Sequence, residues 1–314
     1  VGVVHRPDRY PQDEQQRPAI PPDEPWRSGQ HPRRVGPVKI LISADMEGAT
    51  GVTWPADCEP GTEQWQRCRS MFTSDVNAAV EGLFDGGANE VFVNEAHATM
   101  RNLLLERLDE RATMITGRHK ELSMVEGVQS GDVDGIVFLG YHCGAGEEGV
   151  LAHTYLPNAF TGVWLDGVPA SEGYLNAAVV AEFGTPVVLV TGDDRACEDA
   201  ESYAPSARKV AVKDHVSRYA ARCRPPARTA AAIGAAAKSS MELAGSVDPA
   251  PQRSMVLEVE VDSAHLAQAA AIVPGVERTG VCRVRYTAPD AYEMIRCFKA
   301  ISTLVSQAME SQYG

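Results

Sequence analysis

The sequence predicts an α/β fold, a mostly parallel sheet with flanking helices, followed by a smaller C-terminal α+β unit. Three observations predict it. Short aliphatic runs recur from residue 38 to 192, the stretches between them carry helical spacing, and beyond about Lys213 this rhythm loosens. Regular alternation of strand and helix in one chain gives a sheet covered by helices.

Residues 1–37 precede that pattern. They hold eight prolines, mixed charges and almost no aliphatic clusters, so they cannot bury enough apolar surface to offset chain entropy and read as a flexible arm. The arm is either a dispensable extension or a segment that docks on a neighbouring subunit through Tyr10 and Trp26. The strand candidates follow: VKILISA (38–44), EVFVNE (90–95), GIVFLG (135–140) and PVVLVTG (186–192). Such runs read as buried parallel strands. Helical spacing covers Trp65 to Asp85, Ser123 to Ser130 and Ser171 to Phe183, with Gly86-Gly87 stopping the first. These elements make up a catalytic α/β domain over 38–212. The C-terminal unit, 213–314, contains an Ala-rich helix (Pro226 to Leu243), a Pro-marked turn (Asp248 to Pro251), strands at 254–261 and 282–288, and a final helix from Asp290.

With 314 residues and 44% hydrophobic side chains, the chain can bury one sizeable core or two modest ones. A net charge of −13 without a basic stripe argues against a nucleic-acid surface, which needs clustered Lys and Arg to replace phosphate counterions. No stretch approaches the ~20 apolar residues of a membrane span, and the first residues lack a secretory signal pattern, so a cytoplasmic location is expected. The seven cysteines are odd in number, spread out and free of C-x-x-C pairs, which predicts reduced core residues rather than a disulfide framework.

The residues that carry chemistry cluster at strand ends. The first strand ends in Ser43-Ala44-Asp45-Met46-Glu47-Gly48, and in extended chain positions i and i+2 point the same way, so Asp45 and Glu47 present two carboxylates on one face. Two such carboxylates repel unless a cation sits between them, and no Lys or Arg is near in sequence. EVFVNE runs into His97 and GIVFLG into His142, both just past carboxyl strand ends, where α/β sheets place ligand crevices. Glu172 joins them at the start of a helix for which Ser171 is a plausible N-cap. Each piece alone is more often an ordinary polar residue. Together they make a metal site as strong a reading as solvated side chains. Oxygen and imidazole donors without thiolate favour zinc, with manganese or cobalt as substitutes.

At this point the chain resembles a known family, the zinc D-aminopeptidases of the dipeptide-transport type, peptidase family M55. The resemblance rests on S-x-D-M-E-G (Ser43 to Gly48), V-N-E-A-H (Val93 to His97), S-M-V-E-G (Ser123 to Gly127), F-L-G-Y-H (Phe138 to His142), A-H-T (Ala152 to Thr154), S-E-G-Y-L-N-A (Ser171 to Ala177) and G-D-D-R-A (Gly192 to Ala196). It covers roughly residues 38 to 310 and leaves out the proline-rich arm. It implies two zinc ions per subunit, with Asp45 bridging both and Glu47, His97, His142 and Glu172 completing their shells. It implies that His153 is the catalytic residue, that the substrates are short peptides, and that subunits assemble into a homo-oligomeric ring, a decamer in the family. Tyr155, directly after His153-Thr154, departs from the family pattern and puts substrate preference in doubt.

Two zinc ions would activate water and polarise the scissile carbonyl, and His153, in the Gly-rich segment GAGEEGVLAHT, would move the proton; without the resemblance it reads as a loop histidine. Asp193 and Asp194 either hold the substrate ammonium or cap the following helix. Glu95 and Glu126 are candidate acceptors for the outer nitrogens of metal-bound imidazoles. His119, His215 and His265 are expected at the surface. A Cys143–His153 thiol protease lacks the context for an activated thiolate. The remaining alternatives are a dinuclear hydrolase of another amide or a phosphoester, and a non-catalytic metal-binding ring.

Overall fold

The structure is a computed structural model that describes residues 36–245 and 247–309. The arm expected over 1–37, with Tyr10 and Trp26, lies outside the described residues except for its last two.

In chain order the elements are β1 (Lys39–Ala44), α1 (Pro55–Cys58), α2 (Glu63–Asp85), β2 (Glu90–Glu95), β3 (Ala112–Ile115), β4 (Gly135–Leu139), β5 (Phe160–Leu165), β6 (Val168–Pro169), α3 (Glu172–Glu182), β7 (Val187–Asp193), α4 (Asp194–Tyr203), β8 (Arg208–Ser217), β9 (Ala220–Cys223), α5 (Pro226–Ser240), β10 (Met255–Val261), α6 (Ala264–Ala270), β11 (Val276–Arg278), β12 (Arg283–Ala288) and α7 (Ala291–Ala308). The seven-stranded sheet runs β3-β2-β1-β4-β7-β8-β9 and is parallel up to β8, with β9 closing the edge antiparallel. The five-stranded antiparallel sheet runs β11-β12-β10-β5-β6.

All four aliphatic runs are central parallel strands, as their burial on both faces requires. Ile40 and Ile42 of β1 belong to one core cluster with Phe72, Val76 and Val80 of α2 and Ile233 of α5. Leu41 belongs to the other, with Phe138, Leu175 and residues of β10 and α7. At ~1.5–3 kcal/mol for each fully buried large side chain, this alternation fixes the register more strongly than strand propensity does.

From β1 the chain steps outward to β2 and β3, then returns to the other side of β1 to make β4. The connections after β1 and β4 therefore diverge, leaving a crevice at their carboxyl ends.

The structure corrects three expectations. The helix predicted over Ser123 to Ser130 is two single-turn 3-10 segments, because Gly127 adopts φ 107° and cannot continue a right-handed helix. The boundary predicted between 212 and 213 falls inside β8. Nor does the second sheet belong to the C-terminal unit alone, since β5 and β6 are its strands; all described residues fall in one compact unit. β5 escaped the sequence reading because it faces solvent at Thr161 and only partly buries Trp164, so it lacks a continuous apolar run.

Candidate metal centre and cleft

Two loops meet at the crevice, backbone against backbone. Asp45 N donates to Leu139 O at 2.8 Å and Gly48 N to Gly140 O at 2.7 Å. A Cβ on Gly48 would run into Tyr141 O, and one on Gly140 into Asp45 O, so the glycines of D-M-E-G and L-G-Y-H let the two ligand-bearing loops touch. Beneath them the motif residues that carry no titratable group form one hydrogen-bond network with Tyr141. Ser43 Oγ donates to Met124 O (2.5 Å) and lies 2.7 Å from the Tyr141 hydroxyl, Asn94 Nδ2 donates to Met124 O (2.7 Å), and Asn176 Nδ2 reaches the same hydroxyl (3.3 Å). Motifs far apart in sequence thus brace one floor.

On that floor the structure brings together Asp45, Glu47, His97, His142, His153 and Glu172, none more than 8% exposed. Ser171 caps α3 through Tyr174 N (3.2 Å), which sets Glu172 at the first helical position. Asp45 stands between two imidazoles: its Oδ1 lies 3.5 Å from His97 Nδ1 and its Oδ2 3.3 Å from His142 Nε2. Glu47 Oε2 is 2.6 Å from His97 Nδ1, and Glu172 Oε1 is 3.8 Å from His142 Nε2. His153 stacks on His142 with centroids 4.3 Å apart and points Nε2 at Glu47 Oε1 (3.6 Å) and Glu172 Oε1 (3.9 Å).

The outer nitrogen of each ring is fixed by a backbone carbonyl. His97 Nε2 bonds Cys58 O at 3.1 Å, His142 Nδ1 bonds Cys143 O at 3.0 Å, and His153 Nδ1 bonds Leu151 O at 2.7 Å. A carbonyl only accepts, so those nitrogens carry protons, and each ring when neutral turns a lone pair toward the carboxylates. Lone pair against carboxylate is repulsive unless a proton or a cation lies between. Asp45 Oδ2, Glu47 Oε2 and His142 Nε2 are buried without a hydrogen-bond partner among the described residues.

The titration behaviour shows the same demand for positive charge. Burial works to lower the pKa values of His97 and His142, but Glu47 and Asp45 drive the first well above its usual range, and Glu172 and Asp45 take the second to about 10. Burial, reinforced by Asp45 and Glu47 against the opposing charge of His142, pushes Glu172 up to about 8. Asp45 is held well below the carboxylate range because His142 and His97 outweigh its burial. His153 falls to about 4 through burial and the neighbouring His142 charge.

This donor set suits zinc. Two donors about 2.0–2.1 Å from a tetrahedral zinc lie roughly 3.4 Å apart. The Asp45–His142 and Asp45–His97 separations match that spacing, and the His97–Glu47 pair must open slightly. The potential ligand atoms form overlapping groups, Asp45–His142–Glu172 and Glu47–His142–His153, together with Glu47–Cys58–His97. Cys58 was not foreseen; it comes from α1, and no spacing in the sequence links it to Glu47 or His97.

Other expected site residues sit elsewhere. Asp193 is the N-cap of α4, with Oδ1 accepting from Ala196 N (2.7 Å) and Oδ2 from Val150 N (2.6 Å), so both oxygens anchor backbone, including the loop that leads to His153. Asp194 accepts from His215 N at 2.5 Å. Neither lines the cleft, and the helix-capping alternative holds for Asp193. Glu95 gathers the amides of Asn102 and Leu103, and Glu126 accepts from Leu122 N (2.7 Å), so the carbonyls named above fill the role expected of these two glutamates. His119 is exposed but lines the cleft mouth.

The cleft above the floor has a volume of about 330 Å³. Tyr155, Met124 and Leu156 line its sides, and α7 adds Lys299, Ser302 and Thr303.

The family model described as Peptidase_M55, D-aminopeptidase, matches residues 38–300. The D-aminopeptidase of Bacillus subtilis (strain 168) is 32% identical over 278 residues, covering 88% of this chain and 100% of that protein. The solved structure of the Zn-dependent D-aminopeptidase DppA from Bacillus subtilis, described as a self-compartmentalizing protease, superimposes with a TM-score of 0.79 at 33% identity, covering 86% of this chain and 98% of that one.

Proposed function

The chain belongs to the M55 family of D-aminopeptidases, and from that premise we propose that it is a zinc-dependent aminopeptidase that removes the N-terminal residue, D-residues included, from short peptides through a dinuclear centre. The observation that carries this reading is the position of Asp45, whose two oxygens face His97 on one side and His142 on the other. One zinc would be held by Asp45, Glu47 and His97, and the other by Asp45, His142 and Glu172. When bound, the ions supply Lewis acidity to the scissile carbonyl and bring the pKa of water toward neutrality.

The chain's own groups do the rest. His153, with Nδ1 committed to Leu151 O, offers Nε2 to accept a proton and later return it to the leaving amine. The buried carboxylates exclude bulk anions, and the small cleft favours short substrates. Following the solved relative, subunits are proposed to form a self-compartmentalising ring, a decamer by family resemblance, in the cytoplasm. The test is a panel of peptides with matched D and L N-termini, assayed on protein of measured zinc content. Release of the N-terminal residue by zinc-loaded protein and its loss on chelation are expected. Turnover of p-nitrophenyl phosphate with no peptide cleavage would overturn the reading.

A further inference from the structure

The cleft is polarised. Its floor is acidic, while its lining also includes a basic wall of Arg118 and Lys120, from the segment after β3, and Lys299 of α7. Such a cluster stands out in a chain of net charge −13. Elsewhere Arg111, Arg195, Arg208, Arg253 and Arg283 each pair with a carboxylate. Among the described residues the three cations of the wall do not. Lys120 Nζ donates to Asn94 Oδ1 (2.6 Å) and to Glu95 O, Lys299 Nζ donates to Lys120 O, and Arg118 has no hydrogen bond or ion pair among the described residues. Each lysine keeps at least one N–H free, and Arg118 keeps its whole fork. Burial lowers the Lys299 pKa, and the nearby Arg118 and Arg296 charges add to that against Glu126 and Glu121, so an anion arriving at this wall relieves repulsion as well as gaining hydrogen bonds.

Resting on the aminopeptidase reading above, we propose that Arg118, Lys120 and Lys299 form a carboxylate-binding wall that takes the free C-terminus of the substrate, so that the cleft selects zwitterionic di- and tripeptides. A dipeptide spans ~7 Å and a tripeptide ~10 Å when extended. A cleft of about 330 Å³ lies at the small end of the ~300–1,000 Å³ usual for ligand pockets. With the N-terminal ammonium near the acidic floor, a short peptide meets the wall with its carboxylate, and Arg118 has the planar fork that suits bidentate recognition. A longer chain or a C-terminal amide brings no negative charge there. Selection by length then follows from basic groups that share one small cleft with the acidic floor.

The experiment compares D-alanyl-glycine with its C-terminal amide on zinc-loaded wild type, Arg118→Gln, Lys299→Gln and the double variant. Gln keeps a donor for Lys120 O in place of Lys299. The wild type should favour the acid about tenfold in kcat/KM, mostly through KM, and the double variant should bring the ratio within about twofold. Equal rates for acid and amide in the wild type, or an unchanged ratio in the double variant, would overturn the proposal. Calorimetric titration of both ligands into zinc-loaded His153→Ala protein, with and without the wall substitutions, reads binding alone. If no peptide is cleaved, the aminopeptidase reading fails, whereas the titration still decides the wall: tighter acid binding that the wall substitutions abolish supports it, and equal binding of acid and amide removes it.

Discussion

The ammonium of Lys213 donates to the backbone carbonyl of Glu47 at 2.6 Å. The same group reaches Val52 O at 2.6 Å and Ala49 O at 3.1 Å, so one fully buried side chain of β8 ties down the loop that presents Glu47. Burial lowers its pKa, and three charge-assisted bonds to carbonyls offset that cost. Lys213→Met keeps the length but leaves the carbonyls of Glu47 and Val52 unpaired, while Ala49 O keeps only its bond from Val52 N. A loss of about 3 kcal/mol in urea unfolding is expected, with zinc affinity down ~10–100-fold because an outer support of a ligand is gone. If zinc titration of the variant matches wild type, Lys213 holds the fold and not the site.

Behind the same loop Asp75 is fully buried, accepting from Thr50 N (2.8 Å) and Thr50 Oγ1 (2.9 Å). Burial raises its pKa from 3.8 to about 6 despite those bonds and the nearby Lys213 charge. Because the folded value lies above the unfolded one, the stability this group contributes is fully present below pH 3.8 and is lost as pH rises through about 6. The gap between the two values corresponds to about 3 kcal/mol. In Asp75→Asn the amide oxygen can serve Thr50 N while the NH₂ donates to Thr50 Oγ1, which frees that hydroxyl's one proton for Thr229 Oγ1 at 2.9 Å. The variant should therefore match wild type near pH 4 and exceed it at pH 7. Unfolding curves across that range check this, and parallel curves for the two proteins would refute it.

How much of this was legible in the sequence differs from residue to residue. Asp45, Glu47, His97 and His142 follow strands apolar on both faces, so a parallel sheet alone puts them on one edge. Glu172 needed only its N-cap, Ser171. The wall could not be read, because Lys299 meets Lys120 O across 179 residues and only the packing of α7 joins them. For Asp193 the sequence leaves a substrate group and a helix cap both open, because position marks a strand end but not which way the two oxygens turn, and both turn to backbone amides. Glu95 stands two residues before His97, yet it serves Asn102 and Leu103 because the loop after His97 folds back over it. Cys58, the last residue of α1, reads as a core residue by type, while its carbonyl orients His97.

Removing the proton carrier should separate catalysis from metal binding. His153→Ala takes away the imidazole stacked on His142 but leaves Asp45, Glu47, His97, His142 and Glu172 in place. A fall of ~10²–10⁴ in kcat with zinc content unchanged is expected from loss of a general base. Steady-state rates paired with metal analysis of the same sample provide the check. Full activity in the variant would transfer the proton step to another group, and loss of zinc would make His153 a ligand.

Zinc loading itself should release protons, and the sign follows from the site. Without metal, Glu172 (about 8), His142 (about 10) and His97 (well above its usual range) all hold a proton at pH 7, whereas coordination requires each to give it up. Filling both positions at pH 7 should release about three protons per chain, and zinc affinity should climb with pH until each group has lost its proton unaided. Calorimetry in two buffers of different ionisation enthalpy measures the count. Because Asp45 faces both imidazoles, Asp45→Asn should weaken both zinc positions, while Glu172→Gln should weaken one and leave a stoichiometry near one. Release of fewer than one proton would refute these protonation states, and retention of two tightly held ions in Asp45→Asn would mean that this carboxylate does not bridge the pair.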